Sequence, residues 1–443
     1  MFQGRRKKPF KAMVWLVIPL GLLASASMVY SEDLETPKIA ELSISNAESR
    51  KVISNAISDQ LNRNIFPEEL TFDKEISKTS PLYKVKYTLQ AEMQDHAKNL
   101  LKRYKPDYAA IVMMDAKTGE ILTLTSFEKA RTDGKNLALK ATYPAASIFK
   151  VITAATAVDK AGVSPNQRIA FNGGNYTLYK RNVLSENVNR WTRFITLRDA
   201  FARSINTAFG RLTLDFIEPQ DLSDYANKFF FNQEIPADFS IETSLAFVPA
   251  EKGFALTEVA SGYNRFNTLS PVHGAMIASA IINDGQMPSP YIVKSIENQN
   301  NESIYTGEAL NQGQVITAKS AGLVQEMMEQ TVLAGTSRKT FRHMVRDRKF
   351  KEVEMGGKTG HFSGVNPKGR TDWFIGYASD GESKIAIATI TVNIKKWTVK
   401  SSALGEMMFR EYFKTKIEER QTSLTETSAP APVRKPARSK KRG

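Results

Sequence analysis

Three short patterns of serine, lysine and asparagine could together carry out acyl transfer. In chain order they are Ser147-Ile148-Phe149-Lys150, Ser204-Ile205-Asn206 and Lys358-Thr359-Gly360. A serine hydroxyl becomes an effective nucleophile only when a neighbouring base removes its proton. Residues three apart on a helix share a face, so the Lys150 amine can approach the Ser147 hydroxyl. The spacing therefore predicts a serine nucleophile with a lysine base.

A lysine base needs an unusual environment. Its pKa must fall from about 10.4 to roughly 7–8 before it can accept a proton near neutral pH. Burial and a second nearby cation both lower a lysine pKa, and Lys358 is the candidate cation. If Ser147 opens a helix, the free N–H groups of the first turn lie near the developing oxyanion. An N-cap role alone would not call for the lysine at position 150.

Each pattern has a second copy in the chain, so context must distinguish them. The other copies are residues 126–129, 185–187 and 117–119. Ser147 begins an apolar helical run that ends near Gly162, whereas Ser126 leads into a charged loop. Residues 117–119 lie in a predicted hairpin turn, which explains a polar stretch containing glycine. Context favours the copies that begin at 147, 204 and 358.

The neighbours of the second and third patterns predict their secondary structure. Residues 197–212 have apolar side chains at helical spacing, which predicts one helix carrying Ser204 and Asn206. The third pattern follows two glycines at 356–357, and a glycine-rich strand lets a substrate backbone approach closely. A solvent-facing Ser204 and a simple bulge at 358–360 are the alternatives without function.

Strand-like runs at both ends of this region predict the fold class. Residues 109–115 and 121–125 form a predicted hairpin, and residues 373–378 and 385–392 form two later strands. Helical patterns fill the sequence between them. This order predicts an α+β domain in which an antiparallel sheet, assembled from both ends, is covered by helices on both faces.

Charge and composition exclude several classes of function. The net charge is +15, but five basic residues fall in the first eleven positions and six lie between 434 and 442. The rest of the chain carries a net charge of only +4, so no nucleic-acid-binding face is indicated. The absence of cysteine excludes disulfides, thiol catalysis and Cys-ligated zinc. The histidines show no metal-ligand spacing, so neither a metal nor another cofactor is predicted.

The chain is predicted to contain five segments. They are a cytoplasmic basic segment at 1–11, a transmembrane helix at 12–30, a stalk at 31–83, the catalytic domain at 84–417 and a disordered basic tail at 418–443. Residues 12–30 are uncharged and nearly span a bilayer, and the flanking charges predict export of residues 31–443. A signal peptide cleaved near residues 24–26 is the alternative. The stalk contains one amphipathic stretch at 52–61, typical of a packed helix.

The three patterns, in this order, resemble the signature of penicillin-binding proteins and active-site serine β-lactamases. The likeness extends to residues 86–90, 115–122, 244–246, 282–285 and 372–378. Over residues 84–415 the chain resembles the transpeptidase module of bifunctional, class A penicillin-binding proteins. The resemblance implies a β-lactamase/transpeptidase-like fold and a peptidoglycan D,D-transpeptidase that is inhibited by β-lactams.

The resemblance also implies a role for each residue of the first two patterns. Ser147 would attack the carbonyl between two D-alanines of a stem peptide and form an acyl-enzyme. Lys150 would be the general base. Ser204 would relay the proton to the leaving amine, and Asn206 would hold both Lys150 and the substrate amide.

The third pattern would bind the substrate. Lys358 and Thr359 would hold the terminal carboxylate, and Lys358 would keep the base neutral. Gly360 and His361 complete the substrate-binding set, with the backbone N–H groups of Ser147 and His361 as the oxyanion hole. His361 stands where these transpeptidases commonly carry Thr, which removes a hydroxyl contact. This departure predicts altered peptide preference or weaker β-lactam binding.

The sequence leaves other functions open. A D,D-carboxypeptidase or endopeptidase differs only in whether water or an amine resolves the acyl-enzyme. A class A β-lactamase is disfavoured because Glu242 is followed at the fourth position by Ala246 instead of Asn, and a class D enzyme because Asn206 replaces the usual Val. A non-catalytic cell-wall scaffold would not need the complete set of site residues.

Location and partners are expected from the resemblance and the predicted anchor. The expected protein spans the bacterial inner membrane once, with its catalytic domain in the periplasm or outside the cell. Stem peptides are its expected substrates and β-lactams its inhibitors. Only about fifty residues separate the anchor from the module, too few for a glycan-polymerising domain. A separate glycan polymerase is therefore an expected partner.

Overall fold

The computed structural model of the chain describes residues 46–72, 82–130, 135–365 and 368–427. The helices are α1 Asn46–Leu61, α2 Ala91–Tyr104, α3 Lys150–Ala155, α4 Lys180–Val183, α5 Leu197–Ala202, α6 Asn206–Phe216, α7 Pro219–Lys228, α8 Phe254–Ser261, α9 Pro271–Ile282, α10 Ala318–Leu333, α11 Arg338–Arg346 and α12 Ser401–Thr427. The strands are β1 Glu69–Leu70, β2 Tyr83–Tyr87, β3 Tyr108–Asp115, β4 Ile121–Glu128, β5 Tyr143–Pro144, β6 Arg168–Phe171, β7 Arg193–Thr196, β8 Thr268–Leu269, β9 Gln286–Ser289, β10 Val293–Glu297, β11 Ser303–Thr306, β12 Leu310–Gln314, β13 Glu354–Val365, β14 Lys368–Ser379 and β15 Lys384–Asn393.

A five-stranded antiparallel sheet in the order β13-β14-β15-β3-β4 forms the centre of the fold. Strands β3 and β4 come from the start of the domain and the other three from its end. The β-branched residues of β15 suit a strand that is buried on both faces. The predicted antiparallel sheet is therefore confirmed, and its edge strand β13 carries the third sequence pattern.

Helices cover both faces of the sheet, as predicted. Successive strand residues point to opposite faces, so neighbours on β14 belong to different cores. Trp373 lies in the larger core, which includes residues of α3, α5, α6, α9 and α10. Phe374 lies in a second core with residues of α2, α11 and α12. A cleft opens between the helices of the larger core and the edge strand β13.

The amphipathic helix of the predicted stalk is part of the main domain. Ile53, Ile57 and Leu61 on α1 are fully buried in the larger core. Strand β1 pairs with β2 in a four-stranded sheet of order β1-β2-β10-β11. A helix with an apolar face must bury that face, and here the catalytic domain covers it. The sequence predicted that the domain starts at residue 84, but the packing of α1 and β1 shows that it begins earlier.

At the other end, α12 continues to Thr427, beyond the predicted boundary at 417. Ion pairs join it to the body, with Glu418 2.9 Å from Lys349 and Arg420 2.6 Å from Asp380. Residues 428–443 and the predicted anchor at 12–30 lie outside the described residues. Within the described ranges, no helix has the length and apolarity needed to cross a membrane.

Candidate active site

The three sequence patterns meet at one cleft. Ser147 lies in a 3-10 turn at Ala146–Phe149, directly before α3. Ser204 and Asn206 lie at the junction of α5 and α6, while Lys358 to His361 follow one another along β13. The cleft has a volume of about 900 Å³, and Ser147, Ser204, Asn206, Thr359 and His361 are among its lining residues. Lys150 and Lys358 lie behind it, with no exposed surface.

A tight backbone contact holds the turn that carries Ser147. Ala146 has a φ of +48°, and its carbonyl lies against Gly262, which has a φ of +67°. A Cβ atom at Gly262 would lie 1.9 Å from the carbonyl oxygen of Ala146. Only glycine tolerates both this φ and this approach. Ser147 is therefore held between α3 and the end of α8, and the α-helix proper begins only at Lys150.

The Lys150 amine contacts three oxygen atoms. Its Nζ lies 2.9 Å from Ser147 Oγ, 2.6 Å from Asn206 Oδ1 and 2.5 Å from the carbonyl oxygen of Ser261. Burial, and then the charge of Lys358, hold the pKa of Lys150 well below its usual range. A neutral amine has two N–H groups and one lone pair. The amide and the carbonyl can accept the two N–H groups, which directs the lone pair to the Ser147 hydroxyl.

The carbonyl of Ser261 was not identified from the sequence. Helix α8 ends at Ser261, and Gly262 follows it in the left-handed conformation. The last carbonyls of a helix have no partner within the helix and so can accept from another group. An apolar run that ends in glycine was a visible signal for such a helix end. Its proximity to Lys150 depends on packing across 111 residues of sequence.

The predicted continuous helix over 197–212 is wrong. Helix α5 ends at Ala202, Ser204 has a φ of +55°, and α6 begins at Asn206. The left-handed residue interrupts the helix, and both polar side chains line the cleft. The Asn206 amide is then fixed, because its Nδ2 donates to the carbonyl of Tyr176 at 2.6 Å. Its Oδ1 is left to accept from Lys150.

Lys358, like Lys150, has a fully buried side chain. Its Nζ donates to Ser204 Oγ at 2.9 Å and to the carbonyl of Thr359 at 2.8 Å. Burial lowers the pKa of Lys358 to about 7. The Phe201 ring lies 5.6 Å from this Nζ, and the Phe209 ring lies 5.5 Å from that of Lys150. Aromatic faces thus replace water around both amines, although they attract cations only weakly.

The next two residues of β13 complete the wall of the cleft. Thr359 Oγ1 lies 2.6 Å from Thr336 Oγ1. A Cβ at Gly360 would lie 3.4 Å from the Cβ of Ala146, so the strand passes close to the turn that carries Ser147. The glycines at 356–357 have a different role from the one expected. Side chains at those positions would collide with the rings of Tyr377 and Phe374, so they serve packing rather than substrate approach.

His361 is the outermost member of the third pattern. Its Nε2 lies 2.7 Å from Asp372 Oδ1, and its side chain is 51% exposed. Asp372 is buried and also accepts the backbone N–H of Ser401 at 2.6 Å. The Trp397 ring lies 5.7 Å from the imidazole ring. The imidazole is thus held at the mouth of the cleft, where the resemblance implies a threonine.

Several lining residues belong to none of the three patterns. They are Tyr176, Glu258, Arg265, Phe266, Arg370, Trp397 and Lys400, among others. They come from helix α8, strand β14 and several loops and share no regular spacing, so the sequence had no signal for them. Glu242, the nearest candidate for a class A β-lactamase base, accepts the N–H of Ala141 and does not line the cleft.

Residues 109–413 match the family model of the penicillin binding protein transpeptidase domain. Stage V sporulation protein D of Bacillus subtilis is 23% identical over 346 residues, covering 75% of this chain and 49% of that protein. Peptidoglycan D,D-transpeptidase PbpA of Mycolicibacterium smegmatis is 25% identical over 333 residues, covering 64% of this chain and 62% of that protein. The chain thus spans about half to three fifths of these relatives.

Solved structures share the fold. Penicillin-binding protein A from Mycobacterium tuberculosis, as an imipenem acyl-enzyme complex, has a TM-score of 0.61 and 22% identity, covering 74% of this chain and 79% of that one. The D,D-transpeptidase domain of a peptidoglycan glycosyltransferase from Eggerthella lenta has a TM-score of 0.63 and 21% identity, covering 83% and 91%. The curated relatives are class B proteins, so the predicted likeness to class A is not supported. The family match extends over most of the chain, which therefore belongs to the penicillin-binding protein transpeptidase domain family.

Proposed function

We propose that this chain is a peptidoglycan D,D-transpeptidase that cross-links stem peptides through an acyl-enzyme on Ser147. The contact that carries the proposal is the 2.9 Å approach of the buried Lys150 amine to the Ser147 hydroxyl. A lysine with a depressed pKa can take the hydroxyl proton near neutral pH. The relative PbpA is named a peptidoglycan D,D-transpeptidase, which supports this assignment.

Acylation follows from the positions of the side chains. Lys150 takes the Ser147 proton as Oγ attacks the carbonyl carbon between the two D-alanines. The bond from this carbon to the nitrogen of the last D-alanine then breaks. Ser204 relays the proton that Lys150 took to the departing amine, so Lys150 is neutral again and D-alanine leaves. The amine of a second stem peptide then attacks the ester carbon, its proton passes by way of Lys150 to Ser147 Oγ as the ester bond breaks, and a new amide forms.

The electrostatics of Lys358 support the same assignment. Burial lowers its pKa to about 7. A bound carboxylate favours the charged form of a neighbouring amine, so substrate binding would make Lys358 cationic. That charge would in turn favour the neutral form of Lys150. We assign Thr359 to the same carboxylate, and the N–H groups of Ser147 and His361 to the oxyanion, because β13 passes close to the nucleophile's turn.

Fluorescent penicillin tests the nucleophile. The purified wild-type protein should become stably labelled, and Ser147→Ala should lose the label while keeping its thermal unfolding midpoint. A folded wild-type protein that takes no label would favour a non-catalytic scaffold. A label that is released within seconds would favour a β-lactamase.

A synthetic stem pentapeptide with an added acceptor amine tests how the acyl-enzyme is resolved. Formation of the amide-linked dimer is the expected result. Release of tetrapeptide alone, at every acceptor concentration, would identify a carboxypeptidase.

The setting of the enzyme also remains a proposal. Anchoring by residues 12–30, an extracytoplasmic catalytic domain and a separate polymerase partner are supported by the sequence alone. Fractionation of cells that express the full chain would test the first two, with the protein expected in the inner-membrane fraction.

A further inference from the structure

A ribbon beside the cleft carries an unusual surface. Strands β6 and β7 pair in an antiparallel ribbon, which we define as residues 168–196. It contains five basic residues and one acid. Its exposed large apolar side chains are Tyr176, Tyr179, Val188, Trp191 and Phe194, and Trp191 is 72% exposed. A concentration of exposed aromatic rings outside a core indicates an interaction site.

These rings are held outward by defined contacts. Trp191 N–H donates to Asn189 Oδ1 at 2.8 Å, and Asn189 N–H donates to Thr192 Oγ1 at 2.9 Å, which fixes the turn. The Arg190 guanidinium lies over the Trp191 ring, 4.6 Å from its centre. The indole is thus a flat ring with a cation over it, and most of its surface stays exposed.

The ribbon is continuous with the catalytic machinery. Tyr176 lines the cleft, and its carbonyl accepts from the Asn206 side chain at 2.6 Å. The carbonyl of Asn175 accepts the Asn206 backbone N–H at 2.8 Å. Arg193 fixes this segment by donating to Asn175 Oδ1 at 2.7 Å. A polymer bound at Tyr176 would therefore lie beside the cleft that Ser147 lines.

The composition of the ribbon indicates its ligand. Aromatic faces stack on the C–H faces of sugar rings, and guanidinium groups bind carboxylates in bidentate geometry. The ribbon also carries five asparagines, which can bind hydroxyl and acetamido groups. A surface that enters a membrane would need more aliphatic side chains, but Val188 is the only exposed large aliphatic residue among these described residues.

We infer, on the basis of the proposed transpeptidase function, that the ribbon binds the glycan strand that carries the donor stem peptide. Trp191 stacks on a sugar ring, and the basic residues contact carboxylates of the stem. The strand positions its peptide at the cleft through Tyr176.

Binding measurements with two probes test this platform. The probes are soluble, uncross-linked peptidoglycan chains of disaccharide–pentapeptide units and the free pentapeptide, each fluorescently labelled. Both are titrated against the full chain carrying Ser147→Ala, which prevents turnover. Trp191→Ala should raise the ratio of chain Kd to peptide Kd at least tenfold. Trp191→Phe keeps an aromatic face and should hold that ratio within threefold of its starting value.

Phe247→Ala is the matched control, because Phe247 is an exposed aromatic residue outside both the ribbon and the cleft lining. It should change the ratio less than twofold. An unchanged ratio in Trp191→Ala overturns the platform. The platform is also overturned if Trp191→Ala weakens binding only to phosphatidylglycerol vesicles, because the ribbon would then be a membrane-binding surface. Penicillin labelling of the unsubstituted protein reports separately on the transpeptidase function, so the two failures are distinguishable.

Discussion

The inner and outer ends of the cleft are organised in different ways. At the inner end, Lys150 and Lys358 have no exposed surface, and each amine contacts fixed oxygen atoms. At the outer end, His361 is half exposed, and Phe266 is 72% exposed. Burial changes the protonation of the inner lysines, which the chemistry needs. Exposure leaves the outer side chains free to meet a large substrate, so reactivity and recognition depend on opposite environments.

The largest effect should come from removing the base at the inner end. Lys150→Met should reduce the rate of penicillin acylation about 10³-fold, since a positioned general base typically contributes 10²–10⁴-fold. The fold should persist, because methionine removes a buried amine without adding a polar group. Stopped-flow acylation and thermal unfolding measure the two quantities. A loss smaller than tenfold in a folded variant would assign proton removal to another group.

The second largest effect should come from Lys358→Met. We expect acylation to slow by roughly 10²-fold, comparable to the loss of one electrostatic contact to the transition state. The variant also lacks the charge that lowers the pKa of Lys150. In a plot of the limiting acylation rate against pH, the rise on the acid side should therefore move to higher pH. Rates measured from pH 5 to pH 10 at saturating penicillin test this shift, and an unchanged midpoint of that rise would contradict it.

The same variant tests what burial of the amine does to stability. Between pH of about 7 and 10.5, the unfolded chain binds the Lys358 proton and the folded protein does not. Wild-type stability should therefore rise with pH across this window. Lys358→Met should be the more stable protein at pH 6, with a smaller advantage at pH 9. Urea unfolding at both pH values measures the difference, and Lys339→Met, at an exposed site on α11, is the matched control.

The smallest effect should arise at the outer end. His361→Thr adds a hydroxyl near the expected carboxylate and removes the imidazole from Asp372. A hydrogen bond to a charged group contributes about 1.5–3 kcal/mol, and at the lower end of that range penicillin acylation should rise about tenfold. Stability should fall by about 1 kcal/mol through the lost contact to Asp372. If neither the acylation rate nor the choice of peptide changes, His361 has no part in recognition.

Local patterns predicted the sheet well, and residues of all three sequence patterns line one cleft. The hairpin of β3 and β4 and the later strands β14 and β15 form as expected, because alternation and turn residues act over short distances. The long helix over 197–212 failed because apolar spacing continues through a residue with positive φ. The position of α1 was not predicted either. An amphipathic helix must bury its apolar face, but the pattern does not show which part of the protein covers that face.

The amino-acid sequence by itself determined which residues could react and in what order their elements follow. Ser147 and Lys150 are three positions apart, and that spacing alone brings them to one face. Tertiary structure decided what Lys150 can do. Its neighbours Asn206 and Ser261 are 56 and 111 positions away along the chain. A pKa depends on lost hydration and on nearby charges, and both exist only once distant segments have packed around the amine.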